Sequence, residues 1–235
     1  MRKSKKKYKK KLAPKPPPPD AAQDCQIYLL TPPQIDDLST FAKILEAVLA
    51  AAPIACLQIR LKNAHRDEII KAANTLIPVA HKYGAAVIIN DDPQIALETG
   101  ADGVHLGQSD MNINLAREVL NEGAIIGVTC HNSKELGFRA CSDGADYVAF
   151  GAFFDSATKP GALRADLEIL TWWHEAVEIP CAAIGGITPS NAKAVIAAGA
   201  DFIAVSAGVW DWPDGPVAAV EQLAALCLQY SPLLP

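Results

Sequence analysis

Two aspartates raise the first chemical question. The stretch "INDDPQIALETGADGVHLGQSD" (89–110) overlaps two apolar runs, "AVIIN" (86–90) and "GVHLG" (103–107), and each is followed within a few residues by an acid, Asp91 and Asp110. If the runs are neighbouring strands, their backbones lie about 5 Å apart and the two carboxylates can approach over a common edge. Two charges about 4 Å apart repel by about 4 kcal/mol at an effective dielectric near 20. A shared divalent cation removes that repulsion. Oxygen-only ligands suit Mg²⁺, which takes one or two carboxylates and completes its shell with water and phosphate. The competing role is helix capping, yet Asp92-Pro93 and Asn112 are better placed to cap the helices that follow.

Basic and hydroxyl residues suggest anion binding around that pair. Gln58, Arg60 and Lys62 alternate in "QIRLK", so on a strand all three side chains leave by one face. Cations facing a barrel interior need an anionic partner, and phosphate supplies one. Lys62 alone also reads as a solvated loop lysine. The segment "DSATK" (155–159) adds Ser156, Thr158 and Lys159, while Gly185-Gly186 and Val205-Ser206 end later apolar runs and can offer backbone N–H groups. The residues thus divide into a cation-rich pocket near Asp91 and Asp110 and a backbone pocket further along. His105 and His131 read either as proton relays or as hydrogen-bonded structural residues.

The elements that must position these groups alternate with regularity. Strand-like runs are "QIYLL" (26–30), "ACLQIRL" (55–61), "AAVIIN" (85–90), "GVHLG" (103–107), "IIGVTC" (125–130), "YVAFG" (147–151), "CAAIGG" (181–186) and "DFIAVSAG" (201–208). Between them lie helical patterns such as "LSTFAKILEAVLAA", "RDEIIKAANTLIPVAHKYG" and "NAKAVIAAG", and "PVAAVEQLAALCLQY" closes the series. Gly84, Gly100 and Gly199 fall at helix ends, where a left-handed cap is common. Continuous apolar strands indicate a parallel sheet covered on both faces. Eight strand–helix repeats predict an α/β fold, a (β/α)8 TIM barrel, with a doubly wound open sheet as the alternative. In such a barrel chemistry gathers at the C-terminal ends of the strands, and there the polar residues fall.

Composition bounds the rest. Of 235 residues, 50% are hydrophobic, enough for one large core. No apolar run is long enough to span a bilayer. The six cysteines have no zinc-like spacing, which fits small core residues and a reducing, cytoplasmic setting. "MRKSKKKYKKKLAPK" carries nine of the 21 Lys+Arg and no acid, leaving 12 basic against 26 acidic residues in the remainder. Residues 1–24 are therefore expected to be a disordered Lys/Pro-rich extension, and 25–235 a single (β/α)8 catalytic domain. Loose attachment of the tail to nucleic acid or anionic membrane, or docking on the acidic body, is the alternative. No specific nucleic-acid partner and no membrane span are expected, and a homo-oligomer is compatible with the sequence.

An ordered set of motifs carries a family resemblance: "QIRLK", "IND", "GADGVHLGQSD", "GVTCH", "GADYVAFGAFF", "TK", "IPCAAIGGITPSNA" and "AGADFIAVS". From Gln26 to about Tyr230 the chain resembles the thiamine phosphate synthases. That resemblance implies condensation of a hydroxymethylpyrimidine diphosphate with a hydroxyethylthiazole phosphate, giving thiamine monophosphate and pyrophosphate through a dissociative step. It implies Mg²⁺ on Asp91 and Asp110, and the pyrimidine diphosphate on Gln58, Arg60, Lys62, Asn90 and Lys159. Thr129 stands beside the leaving group where relatives commonly have serine. The thiazole phosphate falls to Ser156, Thr158, Gly186, Val205 and Ser206. Lys159, Arg60 and Thr129 are the implied catalytic residues. The family's "P-T-x-T-K" pattern is "DSATK" here, so Asp155 is expected to add negative charge beside the thiazole phosphate. A thiazole tautomerase-like relative and a non-catalytic ligand-binding barrel are the alternative readings.

Overall fold

The computed structural model describes residues 24–155 and 164–232. The expected tail (1–24) thus lies, but for Asp24, outside the described residues, as do Ser156, Thr158 and Lys159. The elements run β1 (Gln26–Leu30), α1 (Leu38–Ala51), β2 (Ile54–Ile59), α2 (Arg66–Lys82), β3 (Ala86–Asn90), α3 (Pro93–Thr99), β4 (Gly103–Leu106) and α4 (Ile113–Val119). They continue β5 (Ile125–His131), α5 (Lys134–Ser142), β6 (Tyr147–Gly151), α6 (Glu168–Ala176), β7 (Cys181–Ile184), α7 (Ala192–Ala197), β8 (Phe202–Val205), α8 (Ala207–Trp210) and α9 (Pro216–Tyr230). All eight strands pair in parallel, each with its sequence neighbours, and β8 closes on β1. The open-sheet alternative is thereby excluded.

Local chemistry sets the element ends. Asp37 caps α1 by accepting from the Ser39 and Thr40 amides, and Phe41, Leu45, Val48 and Leu49 form its buried stripe. Asp92 accepts from Gln94 and Ile95, with Pro93 opening α3, and Asn112 accepts from Leu115 to cap α4. Both assignments match the sequence expectation. Gly84, Gly100 and Gly199 have φ of 77°, 70° and 98°, the left-handed conformation expected of them. Among the described residues, no helix is long and apolar enough to cross a membrane.

The strands bury apolar side chains on both faces. Outward residues pack under the helices, whereas Tyr28, Leu30, Cys56, Ile88, Tyr147, Ala149, Ala182 and Ala204 meet inside the barrel. Gly127 makes that interior packing feasible, because a Cβ there would lie 1.9 Å from the Tyr147 ring.

The barrel's N-terminal rim is clipped by a repeated device. Asp102, Asp146 and Asp201 each follow a Gly-Ala pair and stand at the start of an even-numbered strand. Asp102 donates its N–H to Val87 O (2.8 Å) and accepts Val87 N–H on Oδ2 (2.7 Å). Asp146 makes the same pair with Ile126, and Asp201 with Cys181. Asp102 and Asp201 also accept, through their carbonyls, from Ile125 and Gln26, so each clasps three strands.

Two expected spans are corrected. The run 55–61 does not continue as strand, since β2 ends at Ile59. Thr31 Oγ1 accepts from Arg60 N (3.0 Å) and donates to Arg60 O (3.2 Å), so a side chain takes over where the ladder stops. The run 201–208 ends as strand at Val205, and residues 207–210 form the short helix α8, giving nine helices rather than eight among the described residues. "VSAG" has strand-like apolarity, but Val209 and Trp210 N–H both return to Ser206 O, which winds the chain.

Candidate active site

Strand parity decides which polar groups enter the mouth of the barrel. Gln58 lies two residues beyond the inward Cys56, Asn90 two beyond Ile88, and Ser206 two beyond Ala204. Thr129 is four beyond Ile125, which also packs against the interior cluster. Arg60 continues the Gln58 direction just past β2. Gln58 is buried (3% exposed), whereas Arg60, Asn90, Thr129 and Ser206 are half-buried at the C-terminal rim. Lys62 departs from the expected alternation. It lies on the loop after β2, exposed, with its N–H donating to Pro33 O (2.8 Å).

Asp91 and Asp110 do follow adjacent strands, since β3 and β4 pair with Asn90 opposite His105. Asp91 N–H donates to His105 O (2.8 Å), and its backbone is left-handed at φ 66°. Aspartate tolerates that region better than most residues, yet it is uncommon enough to mark a constrained position. Neither acid caps a helix. Asp110 Oδ2 instead accepts Gly107 N–H (2.6 Å), fixing the turn after β4. That bond uses one lone pair of a carboxylate that offers about four. Among the described residues no group of three or more His, Cys, Asp or Glu gathers as a metal cluster. The donor set is two carboxylates, which suits a hard cation that draws its remaining oxygens from water or phosphate.

Beneath these acids lies a buried polar chain that no sequence period announces. Tyr28 Oη and Tyr147 Oη are 2.7 Å apart. Tyr147 Oη is 2.8 Å from His105 Nδ1, and His105 Nε2 is 2.8 Å from Thr129 Oγ1. Burial pushes the His105 pKa down to about 4, with the Asp110 carboxylate opposing that shift and the Arg60 guanidinium adding to it. The imidazole is therefore neutral near pH 7. Burial likewise pushes both tyrosines well above their ordinary values. Of the two readings for His105, the hydrogen-bonded one fits. His131 ends β5 exposed, with a left-handed backbone (φ 52°), at a register shift against β6. Tyr28 and Tyr147 were missed in the sequence, where both read as ordinary strand aromatics.

Among the described residues, main chain predominates at the C-terminal ends of β6 to β8. Gly186 has φ 66°, and a Cβ there would lie 2.4 Å from Asp155 O and 2.7 Å from Phe154 O. The base of the loop after β6 therefore packs on the end of β7. Asn191 Nδ2 donates to Gly186 O (2.9 Å), and Ser206 Oγ donates to Thr31 O (3.0 Å). Val205 is buried as the last residue of β8. The Asp155 charge does not stand alone as the sequence suggested, for its carboxylate is paired with the Arg164 guanidinium.

A closed (β/α)8 barrel with polar and charged groups at its C-terminal mouth is the architecture in which barrel enzymes carry their chemistry above the strands. Comparison with known proteins gives the family. The model described as thiamine monophosphate synthase matches residues 27–209, and the chain belongs to this family of transferases. The thiamine-phosphate synthase of Rhodospirillum centenum is 50% identical over 197 residues, spanning 84% of this chain and 95% of that protein. The thiamine-phosphate synthase of Hyphomonas neptunium is 49% identical over 207 residues, 86% and 93% of the two chains. Among solved structures, thiamine phosphate pyrophosphorylase from Pyrococcus furiosus superimposes with a TM-score of 0.78 at 31% identity, covering 89% of this chain and 98% of that one.

Proposed function

We propose that this protein is a thiamine-phosphate synthase, condensing 4-amino-2-methyl-5-hydroxymethylpyrimidine diphosphate with hydroxyethylthiazole phosphate to yield thiamine monophosphate and pyrophosphate. The observation that carries this reading is the convergence of Gln58, Arg60, Asn90 and Thr129 on one mouth, beside Asp91 and Asp110, in a chain of this family. Rupture of the bond to the diphosphate concentrates negative charge on the leaving group. The site meets that need with preorganised charge and donors rather than a nucleophile. Arg60 and Lys62 supply positive charge, the Thr129 hydroxyl supplies a neutral donor, and Gln58 and Asn90 hold the pyrimidine end. The neutral His105 is no proton acceptor for the exposed reactants, since both ring nitrogens face partners within the protein. Mg²⁺ held by Asp91 and Asp110 would offset the charge developing on the departing pyrophosphate.

The backbone around Gly186, Val205 and Ser206, with Ser156 and Thr158, receives the thiazole phosphate in this reading, and Lys159 joins Arg60 and Thr129 at the reacting centre. A cytoplasmic setting suits a biosynthetic transferase acting on small phosphorylated substrates. The test is incubation of the purified chain with both substrates and Mg²⁺, following thiamine monophosphate and pyrophosphate together. Equimolar appearance of the two supports the assignment. Absence of both from properly folded protein overturns it.

A further inference from the structure

The buried chain Tyr28–Tyr147–His105–Thr129 has two internally consistent directions, and donor accounting separates them. In the downward direction Thr129 donates to His105 Nε2, His105 Nδ1–H donates to Tyr147, and Tyr147 donates to Tyr28. The Tyr28 O–H is then left at the foot of the barrel with the Cys56 sulfur beside it, a weak acceptor. In the upward direction the weak Cys56 S–H faces the Tyr28 oxygen. Tyr28 donates to Tyr147, Tyr147 to His105 Nδ1, and His105 Nε2–H to Thr129 Oγ1. Every strong donor of the three buried residues, Tyr28, Tyr147 and His105, then meets a strong acceptor, as a buried polar chain requires. The last donor, the Thr129 O–H, is released toward the half-exposed mouth.

We propose that Tyr28, Tyr147 and His105 form a one-way hydrogen-bond relay that presents the Thr129 hydroxyl as a donor to the anionic leaving group. This deepens the proposed function and rests on it for the identity of the anion. Tyr147 and His105 are positioning residues, and Thr129 is the group that touches substrate. The relay fixes a tautomer. With Nδ1 protonated instead, Thr129 would spend its proton on Nε2 and turn lone pairs toward an anion. Gly127 is part of the device, because it leaves space for the Tyr147 ring to cross the interior and reach His105.

The experiment reads the tautomer directly. The ring nitrogens of His105 are followed by two-bond ¹H–¹⁵N correlation in ¹⁵N-labelled protein, assigned by the signals lost in His105→Gln, with and without inorganic pyrophosphate and Mg²⁺. The expected state is Nε2–H with unprotonated Nδ1 in both conditions. Tyr147→Phe keeps the ring and removes the donor, so the tautomer should become mixed and pyrophosphate binding should weaken severalfold by calorimetry. Tyr28→Phe, one step further away, should have a smaller effect of the same kind. In a Thr129→Val background Tyr147→Phe should cost nothing further, and Thr129→Ser should restore the dependence. Nδ1–H in the wild type, or an equal effect of Tyr147→Phe with and without the Thr129 hydroxyl, overturns the relay. None of these readouts needs turnover, so failure of the relay is distinguishable from failure of the activity assay.

Discussion

The two rims of the barrel use the same side chain for opposite ends. At the N-terminal rim Asp102, Asp146 and Asp201 each turn a carboxylate onto the first amides of the preceding strand, and the neighbouring main chain completes the pairing. At the C-terminal rim Asp91 sits in a left-handed backbone conformation and Asp110 spends one oxygen on its own turn. One rim uses its carboxylates to close the structure, while at the other the two aspartates follow adjacent strands at the end where the proposed reaction would take place. The difference follows from place along the chain. An aspartate just before a strand meets the amide of its neighbour strand, and an aspartate just after one overlooks the mouth.

The sharpest way to break the comparison is to remove charge from the upper rim. Asp91→Asn and Asp110→Asn should each lower kcat by roughly 10²-fold or more, the scale of losing one preorganised electrostatic partner, with little loss of stability. If both hold one ion, the double substitution costs far less than the product of the singles. Turnover against Mg²⁺ concentration for the three variants decides it. Near wild-type turnover with unchanged metal dependence in either single removes that residue from the site.

The lower rim should respond in the opposite sense. Asp146→Ala orphans the Ile126 N–H and removes the carboxylate partner of Arg117, whose guanidinium keeps the Ala124 and Gly144 carbonyls, and should cost about 1–3 kcal/mol at unchanged kcat, read from the denaturation midpoint. Asp201→Asn sharpens the point. Burial pushes the Asp201 carboxyl above its ordinary 3.8, so folding favours its protonated form. The stability this contributes is full below the unfolded-state value and is lost as pH rises through the folded-state value. An asparagine can still accept the Cys181 N–H without a charge. The stability of Asp201→Asn relative to wild type should therefore rise from acid to neutral pH, and a parallel pair of curves would contradict the buried-charge account.

The smallest effect belongs to Asp155. Because Arg164 pairs with it and both side chains are largely exposed (89% and 61%), Asp155→Asn should lower the KM for the thiazole phosphate by about threefold or less. A tenfold drop would restore the unscreened repulsion expected from the sequence alone.

Most of the barrel was legible because its parallel strands are continuous apolar runs and its helices carry explicit signals, Asp92-Pro93 before α3 being the clearest. The ends were less legible. The alternation of Gln58, Arg60 and Lys62 runs past the last ladder bond, so a two-residue period could not reveal that β2 stops at Ile59. Gln58, Asn90, Thr129 and Ser206 do lie at or just past strand ends, but the hydrogen-bonded chain beneath them joins Tyr28 to Tyr147 across 119 residues of chain. Such a contact leaves no local periodicity. The one trace in the sequence is Gly127, a missing side chain in an apolar strand where a ring from the next strand needs room.

The aromatic plug has a consequence for traffic. With Tyr28, Tyr147 and Ile88 packed across the interior, the barrel is a cup rather than a tube. Among the described residues this packing closes the interior below the mouth, so in the proposed reaction substrates and products share the C-terminal opening. A product that lingers there blocks the next arrival by occupancy alone, so the rate of clearing the doorway sets a ceiling on how fast the cup can be refilled.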